Sequence, residues 1–502
     1  MRRIFLLVSF CFICLAAVAD VKLPAIITDN MVLQQKSKVA LWGWADAGEN
    51  ISITGSWNGK KVSAVTGADG KWQLWLKTGN AGGPYTISVQ GKNHIDIKNV
   101  LLGEVWLASG QSNMQFTLGS YHDWRTGVNN YEAEVAKADN PKIHMFQIPQ
   151  NIAQTPQQDL IGVWKTCIPA NSYEFSAVAY YFAREVSQAT GYPVGIINSS
   201  WGGTPAESWV SRDVLQSYPN LKTELIDTYD KEASEYPAKI EQYKKDLVKW
   251  KLDTVGKPAN ALPQKPGEPW NPITNPTKPA KIYNQMIAPL PPYGIKGVIW
   301  YQGESNSPRA EQYKTLFPAL IKSWRELWNR DLPFYFVQVA PHVVVSPDVR
   351  DAQLYTYKNV NNTGITVITD AADSLDIHPR NKEIVGKRLA AWALVKTYHQ
   401  SSIDYSGPIY EKMETQGDKV KIYFKFAKGL NAQNGALKEF TIAGADKKFV
   451  PATATIDGDA IIVSSPDVTQ PVAVRFAWKF VPRPNLFNAA NLPASPFRTD
   501  NW

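Results

Sequence analysis

The chain contains very little cysteine. Only three of its 502 residues are cysteine, and Cys11 and Cys14 lie within the first 19 residues. Cys167 is therefore the single thiol of the remaining sequence, and one thiol cannot form an intrachain disulfide. This excludes a disulfide-stabilised fold. Because no histidine stands near Cys167 in the sequence, we interpret it as a structural residue and not a catalytic one.

Several motifs of known protein classes are also missing from the sequence. The absence of an HExxH helix and of paired Cys/His ligands argues against a metallohydrolase. The G-x-S-x-G elbow is absent, which argues against the α/β-hydrolase fold. The net charge of +8 comes from lysines scattered along the chain without a basic block. The charge pattern therefore gives no support for nucleic-acid binding.

One long apolar run occurs, at the very start of the chain. Two arginines precede apolar residues 4–18, and Ala17 and Ala19 form the small-x-small pattern of a signal-peptidase site. The alternative is a membrane anchor, but the run is shorter than the roughly 20 residues that cross a bilayer. We predict a signal peptide at residues 1–19 with cleavage after Ala19, and hence a secreted, periplasmic protein with no membrane span.

The rest of the sequence has the composition of a folded protein, with 44% apolar and 20% charged residues. A chain of 502 residues is longer than one hydrophobic core usually organises. Residues 20–100 show short strand patterns separated by turn signals such as Asn58-Gly59 and Asp69-Gly70, which predicts a small β-sandwich domain. Residues 405–502 return to alternating apolar and polar residues, which predicts a second small β-domain.

Residues 101–404 alternate apolar strand patterns with amphipathic helical patterns, which predicts an α/β domain whose parallel sheet is covered on both faces. The predicted strands are residues 103–108, 194–198, 297–301, 334–339 and 365–369. A helical insertion followed by a proline-rich stretch interrupts this pattern at about 206–280.

Ser112 is the candidate nucleophile. It stands in a Gly-Gln-Ser turn immediately after the strand at 103–108. Open α/β sheets place their ligand crevices at the carboxyl ends of parallel strands, so the hydroxyl is expected to face such a crevice. A serine also needs a base within hydrogen-bonding distance and donors for the oxyanion.

His378 is the candidate base, because it follows the last predicted strand and precedes a predicted helix. The other five histidines lack such a position. Two further segments follow predicted strands. Residues 198–204 (NSSWGGT) contain paired glycines whose N–H groups could form an oxyanion hole, although a tight turn would explain the glycines equally well. Residues 300–306 (WYQGESN) cluster amide and carboxylate side chains.

These segments carry a resemblance to a known family. In order, GQSNM at 110–114, WGGT at 201–204, WYQGESN at 300–306 and DIHP at 376–379 are similar to motifs of the sialate O-acetylesterase family of SGNH-type hydrolases. The likeness extends to DNMVL at 29–33, WGW at 42–44 and GPY at 83–85. It therefore spans most of the chain.

The resemblance implies a flavodoxin-like hydrolase domain with Ser112 as nucleophile and His378 as general base. It implies an oxyanion hole built from the Ser112 N–H, the N–H of Gly202 or Gly203, and the Gln302 side chain.

Glu304, Asn306 and Gln111 are expected to support this site. The implied reaction removes acetyl groups from an acetylated sugar through an acetyl-enzyme, with no cofactor and no metal.

The sequence departs from the family pattern at one position. Related enzymes carry the orienting acid three residues before the histidine, where this chain has Leu375. Asp376 or Asp373 could orient His378 instead, or a backbone carbonyl could replace an acid. We favour Asp376.

The expected substrate is 9-O-acetyl sialic acid, because of the resemblance. Acetylated xylan or another polysaccharide is the alternative substrate, since the same motifs serve both. A non-catalytic carbohydrate-binding protein is the alternative of a different class. The sequence gives no indication of the oligomeric state.

Overall fold

The computed structural model describes residues 20–502. The predicted signal peptide at 1–19, with Cys11, Cys14 and the expected cleavage after Ala19, lies outside the described residues. None of the helices within residues 20–502 is both long and apolar enough to cross a membrane. Cys167 is buried.

Seven strands form the N-terminal part of the described chain. They are β1 (Val32–Gln34), β2 (Lys38–Trp44), β3 (Asn50–Gly55), β4 (Lys61–Val65), β5 (Lys71–Lys77), β6 (Gly82–Gln90) and β7 (His94–Gly110). The strands β3 and β4 pair in antiparallel fashion around Asn58-Gly59, where Gly59 has a φ of +64°. Only glycine adopts such a φ without a steric penalty, which explains the turn at this point.

The strand β7 belongs to two sheets at once. Its first half pairs antiparallel with β6, and its second half is a central strand of the parallel sheet. Every residue from Val100 to Gly110 is buried. The boundary predicted between residues 100 and 101 therefore falls inside a continuous strand, which joins the N-terminal strands to the central sheet.

The central sheet contains β7 and six further strands. These are β8 (Asn140–Gln147), β9 (Trp164–Cys167), β10 (Val194–Ser200), β11 (Gly297–Tyr301), β12 (Phe334–Val337) and β13 (Thr363–Thr366). The order is β13-β12-β11-β7-β10-β8-β9, and all neighbours are parallel except β8 and β9. The prediction of an α/β fold with a mainly parallel sheet is confirmed. The strand predicted at 365–369 begins two residues earlier, at Thr363.

Within the described residues 20–502, ten α-helices accompany this sheet. They are α1 (Ser112–Gln115), α2 (Tyr131–Ala136), α3 (Pro169–Ser172), α4 (Ala177–Thr190), α5 (Arg212–Ser217), α6 (Pro219–Leu221), α7 (Thr228–Asp253), α8 (Ala310–Trp328), α9 (Pro347–Asn359) and α10 (Lys382–Lys396). Contacts of two buried tryptophans show that helices cover both faces of the sheet. Trp106 packs against Phe182 of α4, with ring centroids 5.0 Å apart, whereas Trp300 packs against Trp324 of α8 at 5.7 Å.

Residues 206–282 form the inserted segment. The helices α5 to α7 lie here, and in α7 only Tyr229 is buried. After Asp253 the chain forms only one short 3-10 helix, Ala259–Ala261, before the π-helical turn Tyr283–Ile287. The many prolines explain this irregular path, because each lacks a backbone N–H and restricts its predecessor.

The C-terminal part consists of small sheets whose pairings are antiparallel. Its strands are β14 (Ile409–Gln416), β15 (Lys419–Lys425), β16 (Asn431–Ala432), β17 (Phe440–Ala443), β18 (Val450–Pro451), β19 (Thr453–Asp457), β20 (Ala460–Ser464), β21 (Ala473–Phe476), β22 (Leu486–Phe487) and β23 (Phe497–Arg498). They form two four-stranded sheets, ordered β14-β15-β20-β19 and β18-β17-β21-β23, and the pair β16-β22. Small antiparallel sheets thus accompany the central sheet, as expected.

Candidate active site

Ser112 stands at the junction of the central strand β7 and the short helix α1. Gly110 ends the strand with a φ of +143°, and a Cβ at this position would lie 2.1 Å from the Tyr301 carbonyl oxygen. Glycine is therefore required for the chain to turn here between two neighbouring strand ends. The turn places the side chain of Ser112 at the carboxyl edge of the sheet.

His378 lies across this edge from Ser112, in the segment between β13 and α10. Its Nε2 is 2.9 Å from Ser112 Oγ, which is hydrogen-bonding distance. The two residues are separated by 266 positions in the sequence. The fold therefore brings the predicted nucleophile and base into direct contact.

The environment of His378 favours the neutral imidazole. Burial lowers its pKa to about 4, the positive charge of Lys382 and the presence of His342 add to this effect, and Asp376 opposes it. Trp124 covers the ring, with centroids 4.6 Å apart. At neutral pH the imidazole is therefore unprotonated and able to accept a proton from Ser112.

Asp376 is close to His378 but does not bond its ring. Its Oδ1 accepts a hydrogen bond of 2.8 Å from the backbone N–H of His378 and lies 3.7 Å from Nδ1, which is too long for a hydrogen bond. Asp373 caps the N–H of Leu375 instead, and Leu375 is 90% exposed. Of the two predicted carboxylates, only Asp376 reaches the neighbourhood of the imidazole.

Ser112 and His378 open into a cavity of about 550 Å³. Amide and aromatic side chains line much of its wall, together with Ser305 from the loop that follows β11. Those lining residues are Gln111, Gln115, Trp124, Gln150, Trp201 and Ser305. The cavity thus combines flat apolar faces with hydrogen-bonding groups, which is the chemistry that a sugar ring requires.

Gly202 and Gly203 form another part of this cavity wall. The Gly202 N–H donates to the side-chain oxygen of Gln115 at 2.7 Å. A Cβ on Gly202 would lie 3.2 Å from Ser112 Cβ, and Gly203 has a φ of +74°. The paired glycines therefore let this backbone approach the serine closely.

Gln302 does not reach the cavity. It is fully buried, and its Nε2 donates to Asn306 Oδ1 at 2.6 Å and to the Thr204 carbonyl at 3.4 Å. Asn306 Oδ1 also accepts from the Ala206 N–H at 2.8 Å. The sequence expectation placed Gln302 in the oxyanion hole, but in this geometry Gln302 and Asn306 brace the turn that carries the glycines.

Gln111 and Glu304 connect the serine turn to the loop after β11. Gln111 Oε1 accepts a hydrogen bond of 3.2 Å from the Ser305 N–H. Glu304 Oε1 accepts one of 2.7 Å from Asn113 Nδ2, and its Oε2 has no partner among residues 20–502. Burial raises the pKa of Glu304 above its usual value. Both side chains line the cavity without approaching the imidazole.

Sequence reasoning missed four residues of this site. Gln115 stands three residues after Ser112, so a helical turn starting at Ser112 would have predicted that it faces the same crevice. Asn113 lies on another face of that turn and is fully buried. Trp124 gave no sequence signal, because only the fold brings it to the site. Lys382 stands close to His378 in the sequence, but nothing in the sequence indicates that its ammonium is buried. No group of three or more His, Cys, Asp or Glu side chains within residues 20–502 is arranged to hold a metal ion.

The segments that form this site also match known proteins. Residues 102–247 and 268–395 match the family model described as carbohydrate esterase, sialic acid-specific acetylesterase. The chain is 28% identical to the sialate O-acetylesterases of Rattus norvegicus and Homo sapiens, over 94% of this chain and 93% and 91% of those proteins. A carbohydrate acetylesterase from Xanthomonas citri has a similar structure, with a TM-score of 0.80 and 35% identity over 96% of this chain and all of that one.

The family match covers the strand ends that carry Ser112, Gly202, Glu304 and His378. It confirms the resemblance found in the sequence motifs. The agreement of motifs, matched residues and whole-chain structural similarity leads to one conclusion: the chain belongs to the sialic acid-specific acetylesterase family of carbohydrate esterases.

Proposed function

We propose that this protein is a serine esterase that hydrolyses O-acetyl groups of sialic acid, with Ser112 as nucleophile and His378 as general base. The observation that carries the proposal is the 2.9 Å contact between Ser112 Oγ and an unprotonated His378 Nε2 at the wall of a cavity. The family supplies the substrate class, since its description names sialic acid-specific acetylesterases.

The reaction has two steps. Ser112 Oγ transfers its proton to His378 Nε2 and attacks the acetyl carbonyl carbon, which moves the carbonyl electrons onto oxygen. The sugar alcohol leaves with the proton from His378, and an acetyl-enzyme remains. A water molecule then gives its proton to His378 and attacks the acetyl group, after which acetate leaves and Ser112 recovers its proton.

The negative oxygen formed in each step needs N–H donors. The candidates are the backbone N–H groups of Ser112, Gly202 and Gly203, which belong to two turns at the cavity wall. The hydrogen bond from Gly202 to Gln115 orients this turn in the free enzyme. Gln302 acts behind them, because its side chain is fully buried and does not line the cavity.

Asp376 is proposed to orient His378 through the main chain. The 2.8 Å hydrogen bond to the His378 N–H supports this role, and the 3.7 Å separation from Nδ1 does not support a direct bond to the ring. The pair Ser112 and His378 then works largely as a dyad, and Asp376 sets the position of the loop.

A second candidate substrate is an acetylated neutral polysaccharide such as acetylxylan. The supporting observation is that no lysine or arginine lines the cavity among the described residues. A carboxylate-bearing sugar is usually bound by such a cation. A neutral acetylated sugar needs only the amide and aromatic groups that are present.

We also propose a flavodoxin-like SGNH fold for the central domain and a periplasmic location for the protein. Parallel strands β13-β12-β11-β7-β10, with helices on both faces and Ser112 after the central strand, support a flavodoxin-like SGNH hydrolase domain. Export to the periplasm, with residues 1–19 as the signal peptide, stays a prediction from the sequence.

The proposal is tested by acetate release from 9-O-acetyl sialic acid, from acetylxylan and from an aryl acetate. The Ser112→Ala variant should lose activity by roughly 10⁴-fold or more, because the nucleophile is gone. Ser402→Ala, which changes an exposed serine, is the matched control and should keep full activity. Unchanged aryl-acetate hydrolysis in Ser112→Ala contradicts the serine mechanism, and acetate release from acetylxylan alone favours the second substrate.

A further inference from the structure

A lysine is fully buried beside the reacting pair. Lys382 is the first residue of α10, and its exposed fraction is 0%. Its ammonium lies 4.7 Å from the ring centre of Phe116 and 5.5 Å from that of Tyr301. Burial of a cation costs free energy, and the positive end of the helix dipole opposes a cation at this position. A cation that is buried at this cost beside a reacting pair is a candidate for a functional role.

The lysine bonds to an amide that joins the segments of the active site. Asn113 follows Ser112 in the chain and is fully buried. Its Oδ1 accepts a hydrogen bond from Lys382 Nζ. Its Nδ2 donates to Glu304 Oε1 at 2.7 Å and to the carbonyl of Ile377 at 3.0 Å. The Asn113 amide therefore connects the turn at Ser112 with Ile377, the residue before His378.

The ammonium holds the oxygen end of this amide, and the Glu304 carboxylate and the Ile377 carbonyl hold its NH₂ end. A lysine can only donate hydrogen bonds, so Asn113 must turn its oxygen toward Lys382 and its NH₂ group toward Ile377. Without that donor the buried oxygen has no partner, and the energetic preference for this orientation decreases. The distance between the Ser112 turn and the His378 loop depends on the same orientation.

The charge of Lys382 also acts on the imidazole. The groups that affect His378 are Asp376, which raises its pKa, and Lys382 and His342, which lower it. The groups that affect Lys382 are Glu304 and Asp376, whose charges raise its pKa, whereas burial lowers it to about 7. Below pH 7 the ammonium is charged, and it then opposes protonation of His378.

We propose that Lys382 is a positioning residue of the esterase site, which holds the Asn113 amide in place and adds a buried positive charge beside the reacting pair. The inference rests on the proposed function, because it concerns the pair Ser112 and His378. It assigns a role in catalysis to a side chain that does not line the cavity.

The Lys382→Met variant tests this role, because methionine keeps an apolar stem and removes the charge and the donor. We expect kcat for an aryl acetate to fall roughly 10- to 100-fold with KM within about twofold of the original value. The acid limb of kcat/KM should move up by about one pH unit. Lys387→Met, on the exposed side of the same helix and paired with Glu383, is the matched control and should change neither quantity.

A second pair of measurements separates positioning from folding. The double variant Lys382→Met/Glu304→Gln removes both buried charged groups and should stay folded. Its acid limb of kcat/KM should lie at the same raised pH as in Lys382→Met, because Glu304 is not among the groups that shift the pKa of His378. NMR titration of His378 in Ser112→Ala and in Ser112→Ala/Lys382→Met should show a higher pKa in the second protein.

The titration does not depend on esterase activity, so failure of the proposed function and failure of this inference give different results. Undiminished Ser112→Ala activity contradicts the proposed function only. The role of Lys382 is overturned if the pKa of His378 is the same in both proteins. It is also overturned if the loss of kcat in Lys382→Met is fully explained by a smaller folded fraction, measured by urea unfolding.

Discussion

The indole of Trp124 lies over the imidazole of His378, with ring centroids 4.6 Å apart and planes inclined by 36°. Trp124 is itself 37% exposed, so it separates His378 from solvent at the mouth of the cavity. Burial is the largest cause of the low His378 pKa. This contact therefore links a surface tryptophan to the protonation state of the proposed base.

Replacing Trp124 by alanine should raise the pKa of His378 from about 4 toward its ordinary value of 6.5. The base works only when it is unprotonated, so activity falls as the pH decreases through this pKa. We expect the acid limb of kcat/KM to move upward in Trp124→Ala, with the largest loss near pH 5. Trp270→Ala, at a tryptophan that is 86% exposed, is the control. An unmoved acid limb contradicts the shielding role.

A methyl group on Gly202 should disturb the serine directly. The added Cβ would lie 3.2 Å from Ser112 Cβ and 3.1 Å from Gln115 Oε1, so one of these groups must move. We expect Gly202→Ala to lower kcat roughly 10- to 100-fold, because the nucleophile and the N–H donors lose their alignment. Gly267→Ala, where nothing lies within 4 Å, should behave as the original protein in the same assay.

Asp376→Asn should have a modest effect on the rate. Where an acid bonds the ring of the catalytic histidine, its amide variant loses about 10⁴-fold in kcat. The 3.7 Å separation from Nδ1 predicts a loss closer to tenfold, because the main contact is the backbone N–H. Asp373→Asn is the matched control. A 10⁴-fold loss in steady-state kinetics would mean that the carboxylate bonds the ring during catalysis.

Gln302 should contribute mainly to stability. Its replacement by leucine leaves the Asn306 oxygen and the Tyr313 hydroxyl with fewer partners in a buried region. Each buried group that loses its partner costs about 1–3 kcal/mol. We expect a lower free energy of unfolding in urea. If kcat falls by 10²-fold or more with no loss of stability, Gln302 donates to the oxyanion after all.

Local patterns predicted the elements of this fold well. Fully apolar strands with intervening helices indicated the parallel sheet, because only a sheet covered on both faces buries every side chain of a strand. They also indicated that Ser112 and His378 follow strands of one sheet, so both were expected at its carboxyl edge. The strands β8 and β9 were not predicted, since β9 has four residues and β8 has exposed polar residues at both ends.

The sequence by itself determined five strands of the central sheet, the turn at Ser112 and the family to which the chain belongs. Only the tertiary structure decided that Gln302 lies behind the cavity wall, that Asp376 bonds the backbone of His378, and that Lys382 is buried against Asn113. The physical reason is that periodicity and turn chemistry act between near neighbours in the chain. The burial and hydrogen-bond partners of a side chain depend on distant segments, as in the pair Asn113 and Lys382, which are 269 residues apart.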